Sequence, residues 1–167
     1  MMDVVGSRPG AWERIGIGAV AGAMGTAALN AVTYLDMAVR GRPSSQVPAH
    51  TVQRIASGIG LRSVADADDE AAGHRREALG ALLGTGAGVS VAVIHALFGA
   101  SRGSTLRNAF VLGGAAMVAG NAGAVATRST DPRDWSAMDW LSDLVPHLCY
   151  GLAAAWTSAV MSSPGMR

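Results

Sequence analysis

Apolar residues fill four long stretches of the chain, about 15–39, 78–98, 108–126 and 138–161, and a single long polar stretch, 40–77, separates the first from the second. A helix rises about 1.5 Å per residue, so each stretch is long enough for a hydrocarbon layer about 30 Å thick. The pattern predicts an all-α integral membrane protein, a four-helix transmembrane bundle forming one domain over residues 1–167. The first apolar run exceeds the core of a signal peptide and has no small-x-small cleavage site, so it reads as a retained span. Four spans put the two ends of the chain on one side of the bilayer.

The polar stretch holds two further elements. Ser44 and Ser45 followed by Pro48 mark a helix start; Val52, Ile55 and Ile59 then repeat on one side until Gly58 and Gly60. That is the pattern of a short amphipathic helix lying at the membrane interface. Asp66, Asp68, Asp69 and Glu70 precede Ala71, with Asp66 expected as the N-cap and the other acids placed where the helix dipole favours negative charge. The run lacks the glycine turn and distal glutamate of a calcium loop, so it reads as capping rather than as a metal site. Asp131 and Pro132 signal the turn before the last span.

Composition sharpens the membrane reading. The chain is 50% hydrophobic and 15% charged, against roughly 25% charged in ordinary globular domains. Its 22 glycines fall mostly inside the apolar runs. Interior glycine weakens a helix in water by about 1 kcal/mol relative to alanine, whereas in lipid it lets helix backbones approach closely. Gly18, Gly22, Thr26 and Asn30 recur every fourth residue in the first span, Gly80, Gly84 and Gly88 in the second, and Ala116, Gly120 and Ala124 in the third. These are predicted packing seams. They point to a homo-oligomer or to docking in a larger membrane protein complex, with the lipid bilayer as the remaining partner.

The formal net charge is +1, and no basic stripe with interleaved aromatics offers a nucleic-acid footprint. All 13 basic residues are arginine, which reads as a GC-rich and bacterial coding sequence. Arg40, Arg42, Arg54, Arg62, Arg75, Arg76, Arg128 and Arg133 lie in the first and third loops; Arg8, Arg14, Arg102, Arg107 and Arg167 lie on the other side. The larger group is expected in the cytoplasm. Trp12 and Trp156 fall near one interface, and Tyr34, Trp135 and Trp140 near the other. Cys149, the one cysteine, reads as a small apolar side chain.

Candidate chemistry gathers in the last apolar run. As a helix, Asp143, His147, Tyr150 and Gly151 share a face, opposite Leu141, Leu144, Leu148, Leu152 and Ala155. Titratable groups at membrane depth turn toward protein or water, so this face should point inward. Antiparallel spans bring Tyr34 and Asp36 to the same half of the bilayer as Asp139, Asp143 and His147, with Asn30 and Asn121 deeper. Such a set suits a proton or small-cation site, or simply structural polar contacts. His95 and His147 fall in opposite halves, which disfavours one haem between them. No cofactor, metal or catalytic residue is predicted, because no nucleophile triad, phosphate loop or zinc spacing is present.

Val93 to Gly99 and Val145 to Gly151 both read Val-x-His-x-x-aromatic-Gly, suggesting a duplicated hairpin. Together with four short spans, a glycine-rich first span ending near Arg42-Pro43, and Val47-Pro48, this resembles the small bacterial inner-membrane proteins of the YagU type. The resemblance covers most of the chain, except that the acidic stretch 66–70 is longer here. It implies a multi-pass protein of the bacterial inner membrane and carries no catalytic residues. The expected function is a non-enzymatic accessory or structural subunit of a membrane complex; the second expectation is a small transporter or proton-responsive channel using Asp143 and His147.

Overall fold

The computed structural model describes residues 10–66, 68–98 and 103–163. Among them there is no strand, and four helices are long and apolar enough to cross a membrane. They are α1 (Ala11–Arg40), α4 (Glu70–Phe98), α5 (Thr105–Ala126) and α6 (Ala137–Met161); α2 (Val47–Gly58) and α3 (Arg62–Ala65) lie between the first two. Arg8, Arg102 and Arg167 of the charge pattern and Gly99 of the repeat fall outside the described residues.

Local chemistry sets the helix ends. Gly10 caps α1 in an extended conformation, and Gly41 ends it in the left-handed region with φ 61°, while the Arg42 N–H donates to the Met37 carbonyl at 3.2 Å. This is the glycine-terminated C-cap in which late amides satisfy carbonyls that the helix itself leaves open. Ser104 caps α5, and Ser136 and Asp139 form a capping box at the start of α6. The carboxylate of Asp139 accepts from the Ser136 N–H at 2.9 Å, so Asp139 serves the helix terminus.

Two expectations for the polar stretch change. Asp66 does not cap α4; it follows α3, and its carboxylate accepts from the Asp68 N–H at 3.1 Å. Asp69 takes the capping role, accepting from the Ala71 N–H at 2.9 Å. The extra turn of α3 consumes the residues that the sequence pattern assigned to the approach, and α4 then runs through the polar residues 70–77 without a break. In α2, Val52 and Ala56 are buried with Val64, whereas Ile55 and Ile59 are 44% and 73% exposed. The helix is therefore docked on the protein by Ala49, Val52 and Ala56, while Ile55 and Ile59 of the predicted apolar side stay exposed.

The four long helices run antiparallel to their neighbours in the ring order α4, α1, α6, α5, and the α4–α5 face is the smallest. Their core is built largely of alanine, with Leu112 and Tyr150 the largest fully buried side chains. Small residues make this possible. A Cβ at Gly18 would stand 2.6 Å from the Val93 Cα, one at Gly22 2.6 Å from the Val89 Cα, and one at Gly113 2.7 Å from the His147 carbonyl oxygen. At Gly151 it would run into the Ala109 carbonyl. Backbone meets backbone along α1–α4 and α5–α6, and dispersion replaces the large side chains of a water-soluble core.

The seam expected through Gly80, Gly84 and Gly88 is interrupted. Gly80 faces Pro48 of α2, where an added Cβ would lie 3.0 Å from the proline Cβ, and Gly88 faces Thr26 and Tyr150. At Gly84 such an atom would meet nothing within 4 Å, and residues 81–86 are all exposed. Six consecutive residues sweep more than one full turn, so α4 stands clear of the bundle there on every side. The cause is α2, wedged between the first half of α4 and the end of α5, where the Thr51 methyl lies 3.6 Å from the Cβ position of Gly123.

Candidate functional site

Asn121, Asp143 and His147 come together where α5 meets α6. The Asn121 amide donates to the Asp143 carboxylate at 2.8 Å and to the Met117 carbonyl at 3.0 Å, which uses both of its hydrogens. One turn on, His147 Nδ1 lies 2.7 Å from the Asp143 carbonyl oxygen and 3.4 Å from its carboxylate. A carbonyl only accepts, so Nδ1 carries a proton and donates it to the Asp143 carbonyl. Nε2 sits beside Gly120, 3.7 Å from the position of a Cβ there, an ordinary contact distance. The side chains of Asp143 and His147 are 23% and 14% exposed. The arrangement sets the Nδ1 edge of an imidazole next to a carboxylate whose other oxygen is already oriented by an amide, and leaves Nε2 as the edge open to a further proton.

The other predicted members lie elsewhere. Tyr150 is fully buried and points away from His147: its ring packs on Gly25 and Gly88, and its hydroxyl donates to the Gly88 carbonyl at 2.5 Å. It ties α6 to α1 and α4. Asn30 is exposed on the outer side of α1 and makes no side-chain hydrogen bond among the described residues; Tyr34 is 62% exposed. Asp36 joins neither group. Its carboxylate takes Arg42 at 2.6 Å and Arg40 at 3.2 Å, and Arg40 also donates to Ser142 at 2.8 Å, clamping the end of α1 to the first turns of α6.

The two halves of the internal echo occupy unlike surroundings. Phe98 is 76% exposed and its counterpart Tyr150 is fully buried. Val93 lies against Gly18, whereas Gly151 lies against Ala109 and Gly113. No family model, curated protein or solved structure matches this chain.

Sequence reasoning missed Gly25 and Gly113, two of the closest helix contacts. Gly25 breaks the four-residue register of Gly18 and Gly22, and Gly113 stands next to Gly114, whose Cβ position is open. Nothing in the local sequence distinguishes the two neighbours. Also missed was Arg128, at φ 55° the one non-glycine residue in the left-handed region among the described residues. Cys149 is half-buried.

Proposed function

We propose that this is a multi-pass protein of the bacterial inner membrane that acts, without catalysis, as an accessory or structural subunit of a larger assembly or of a homo-oligomer. What supports this reading is a surplus of small, unpartnered positions on the outside of the bundle. Gly16 of α1, Gly84 and Gly86 of α4 and Gly114 of α5 have nothing within 4 Å of a Cβ position. The outer side of α1 adds Asn30, a polar amide that lipid cannot satisfy and that a second helix can. Outward Trp12 and Trp156 at one end, and Tyr34 and Trp140 at the other, fit the two interfaces of a bilayer.

The test is mild-detergent extraction at native expression level, followed by sizing and mass spectrometry. A stoichiometric partner or a defined oligomer is expected, and Asn30→Leu should release it while the monomer keeps its helicity. A wild-type protein that runs as a bare monomer overturns the reading.

A second reading is favoured by the Asn121–Asp143–His147 cluster beside a bundle that is open along residues 81–86 of α4. In it the protein passes or senses protons, with Nε2 of His147 taking up the proton and the Asp143 carboxylate balancing the imidazolium. Asn30 and Tyr34, on the outside, do not line this path. Proton flux in liposomes that survives His147→Ala unchanged would remove this reading.

A further inference from the structure

Burial is concentrated in one half of the bundle. No residue of α1 after Gly25 is buried, none of α4 between Gly80 and Gly88, none of α5 between Ala116 and Ala124, and none of α6 before Pro146. The packed half ends at Tyr150, whose ring lies on Gly25 and whose hydroxyl donates to the Gly88 carbonyl. Past that contact the helices stand apart, and the α4–α5 side, which has the smallest contact, is the open one.

Asp143 belongs to the open half. Seven residues before Tyr150, it projects from nearly the same side of α6, because seven residues make close to two turns. The helices α4 and α6 cross in the same direction, so the bond from Tyr150 to Gly88 sets their register: Ala81, seven residues before Gly88, stands at the depth of Asp143. There α4 is exposed from Ala81 to Gly86. A carboxylate on the bundle side of one helix thus looks across an opening at a stretch of another helix that touches nothing.

No cation answers that carboxylate from within the protein. Asp36, Asp69 and Asp131 each pair with arginine. Asp143, among the described residues, has only the Asn121 amide and His147, whose Nδ1 lies 2.7 Å from the backbone carbonyl and 3.4 Å from the carboxylate. Across the opening, residues 81–86 offer one polar side chain, Thr85, and its hydroxyl donates to the Ala81 carbonyl at 2.9 Å. An acid at membrane depth is costly and marks the path or site of a ligand when protein does not neutralise it.

The surroundings select the kind of cation. A bare metal ion needs several oxygen ligands, whereas the two neighbours of this carboxylate present nitrogens. An ammonium needs only an acceptor for a charge-assisted hydrogen bond. The way in selects the rest of the molecule. Toward the water on this side α2 stops the opening, with Pro48 on Gly80 and the Thr51 methyl by Gly123, the glycines that border it on α4 and α5. What remains is the lateral approach between α4 and α5, along a stretch whose large side chains are the exposed Leu82 and Leu83. We infer that the open half of the bundle binds a primary alkylammonium that enters from the bilayer, its N–H groups donating to the Asp143 carboxylate and its alkyl chain lying along residues 81–86 of α4. This rests on the membrane reading and gives the site of the second reading an organic cation.

The full chain in nanodiscs of zwitterionic lipid is titrated calorimetrically with hexylammonium, 1-hexanol, tetraethylammonium and sodium, with empty nanodiscs subtracted. Hexylammonium should bind at least about tenfold more tightly than the alcohol, which has the tail without the charge, and than tetraethylammonium, which has the charge without an N–H. Asp143→Asn keeps an oxygen for Asn121 and should remove that preference. Should this variant not fold, Ala81→Lys decides: it changes an exposed residue, and its tethered ammonium, on the face of α4 that carries Gly88, should take the place of hexylammonium and abolish its binding.

Equal binding of the alcohol or of tetraethylammonium, displacement by an equal concentration of sodium, or a preference that survives the substitution overturns the inference. Release of the protein from cell membranes by alkaline carbonate sinks the membrane reading itself. Retention with proton flux that depends on His147, but with no preference for hexylammonium, leaves the proton reading standing and sinks this site alone.

Discussion

Tyr150 shows how far one residue's role depends on its neighbours. Its hydroxyl and ring close the contact among α1, α4 and α6, so Tyr150→Phe should destabilise the bundle by about 1 kcal/mol, the usual worth of a hydrogen bond between apolar helices. Gly151→Ala should be costlier, about 1–3 kcal/mol, because the new methyl meets the Ala109 carbonyl and forces α5 and α6 apart. Thermal unfolding of both variants in one detergent checks the ranking, and a Tyr150→Phe effect larger than that of Gly151→Ala would contradict it. Outside the long helices, Asp131 receives the Arg133 guanidinium and the Arg133 N–H, which lower its pKa from 3.8 to about 2. A lowered folded-state value means that this turn is stabilised above the ordinary carboxylate range and loses that support as pH falls through about 2. A carboxyl carbon titration of Asp131 with its midpoint at the unperturbed value would refute this.

At the scale of elements, α2 is the piece that shapes the molecule. Its Pro48 rests on Gly80 and its Thr51 on Gly123, so it holds the first half of α4 clear of α1 and α6. Gly80→Val should expel it, since the added atoms collide with the proline ring and its carbonyl. Hydrogen exchange would then rise through α2 and α3 while the second half of α4, packed on Gly18 and Gly22, keeps its protection. Exchange rising equally in residues 88–98 would show that α2 and the bundle are one cooperative unit instead. The limits of the long helices were largely legible in advance: the apolar runs 15–39, 108–126 and 138–161 lie within a few residues of α1, α5 and α6, and the Asp131-Pro132 turn precedes the last of them. The α2 face and the Asp69 cap were not, because a short helix can bury either of two arcs and an acidic run offers several caps; tertiary contact chooses.

For the whole molecule, the antiparallel ring puts α2 and the turn 127–136 at one end and the start of α5 at the other. With Cys149 replaced by serine, single cysteines at Ser57 and Ser129 should react with a membrane-impermeant maleimide from the same side of intact vesicles, and one at Ser104 only from the opposite side. Labelling of Ser57 and Ser104 from the same side would break the four-crossing arrangement. The size of the glycine surplus belongs to this scale as well. It appears only after the helices are assembled, because a seam in sequence becomes an internal contact at Gly22 and an open position at Gly84.

Hydrophobic length and helix-end chemistry are local properties, and by themselves they determined the number of long helices, their approximate limits and the antiparallel course between them. They also placed Asp143 and His147 in one half of the layer with Asn121 deeper on the same side, because depth is residue count times helix rise. Which way each side chain faces was decided by the tertiary structure. Rotation about a helix axis depends on where the neighbours stand: it turned Tyr150 into the core and Asn30 outward, and brought Asn121 onto Asp143. Along such uniformly apolar helices the hydrophobic pattern barely distinguishes one face from another. Close contact of small residues sets the rotation, and that contact exists only once the backbones have met.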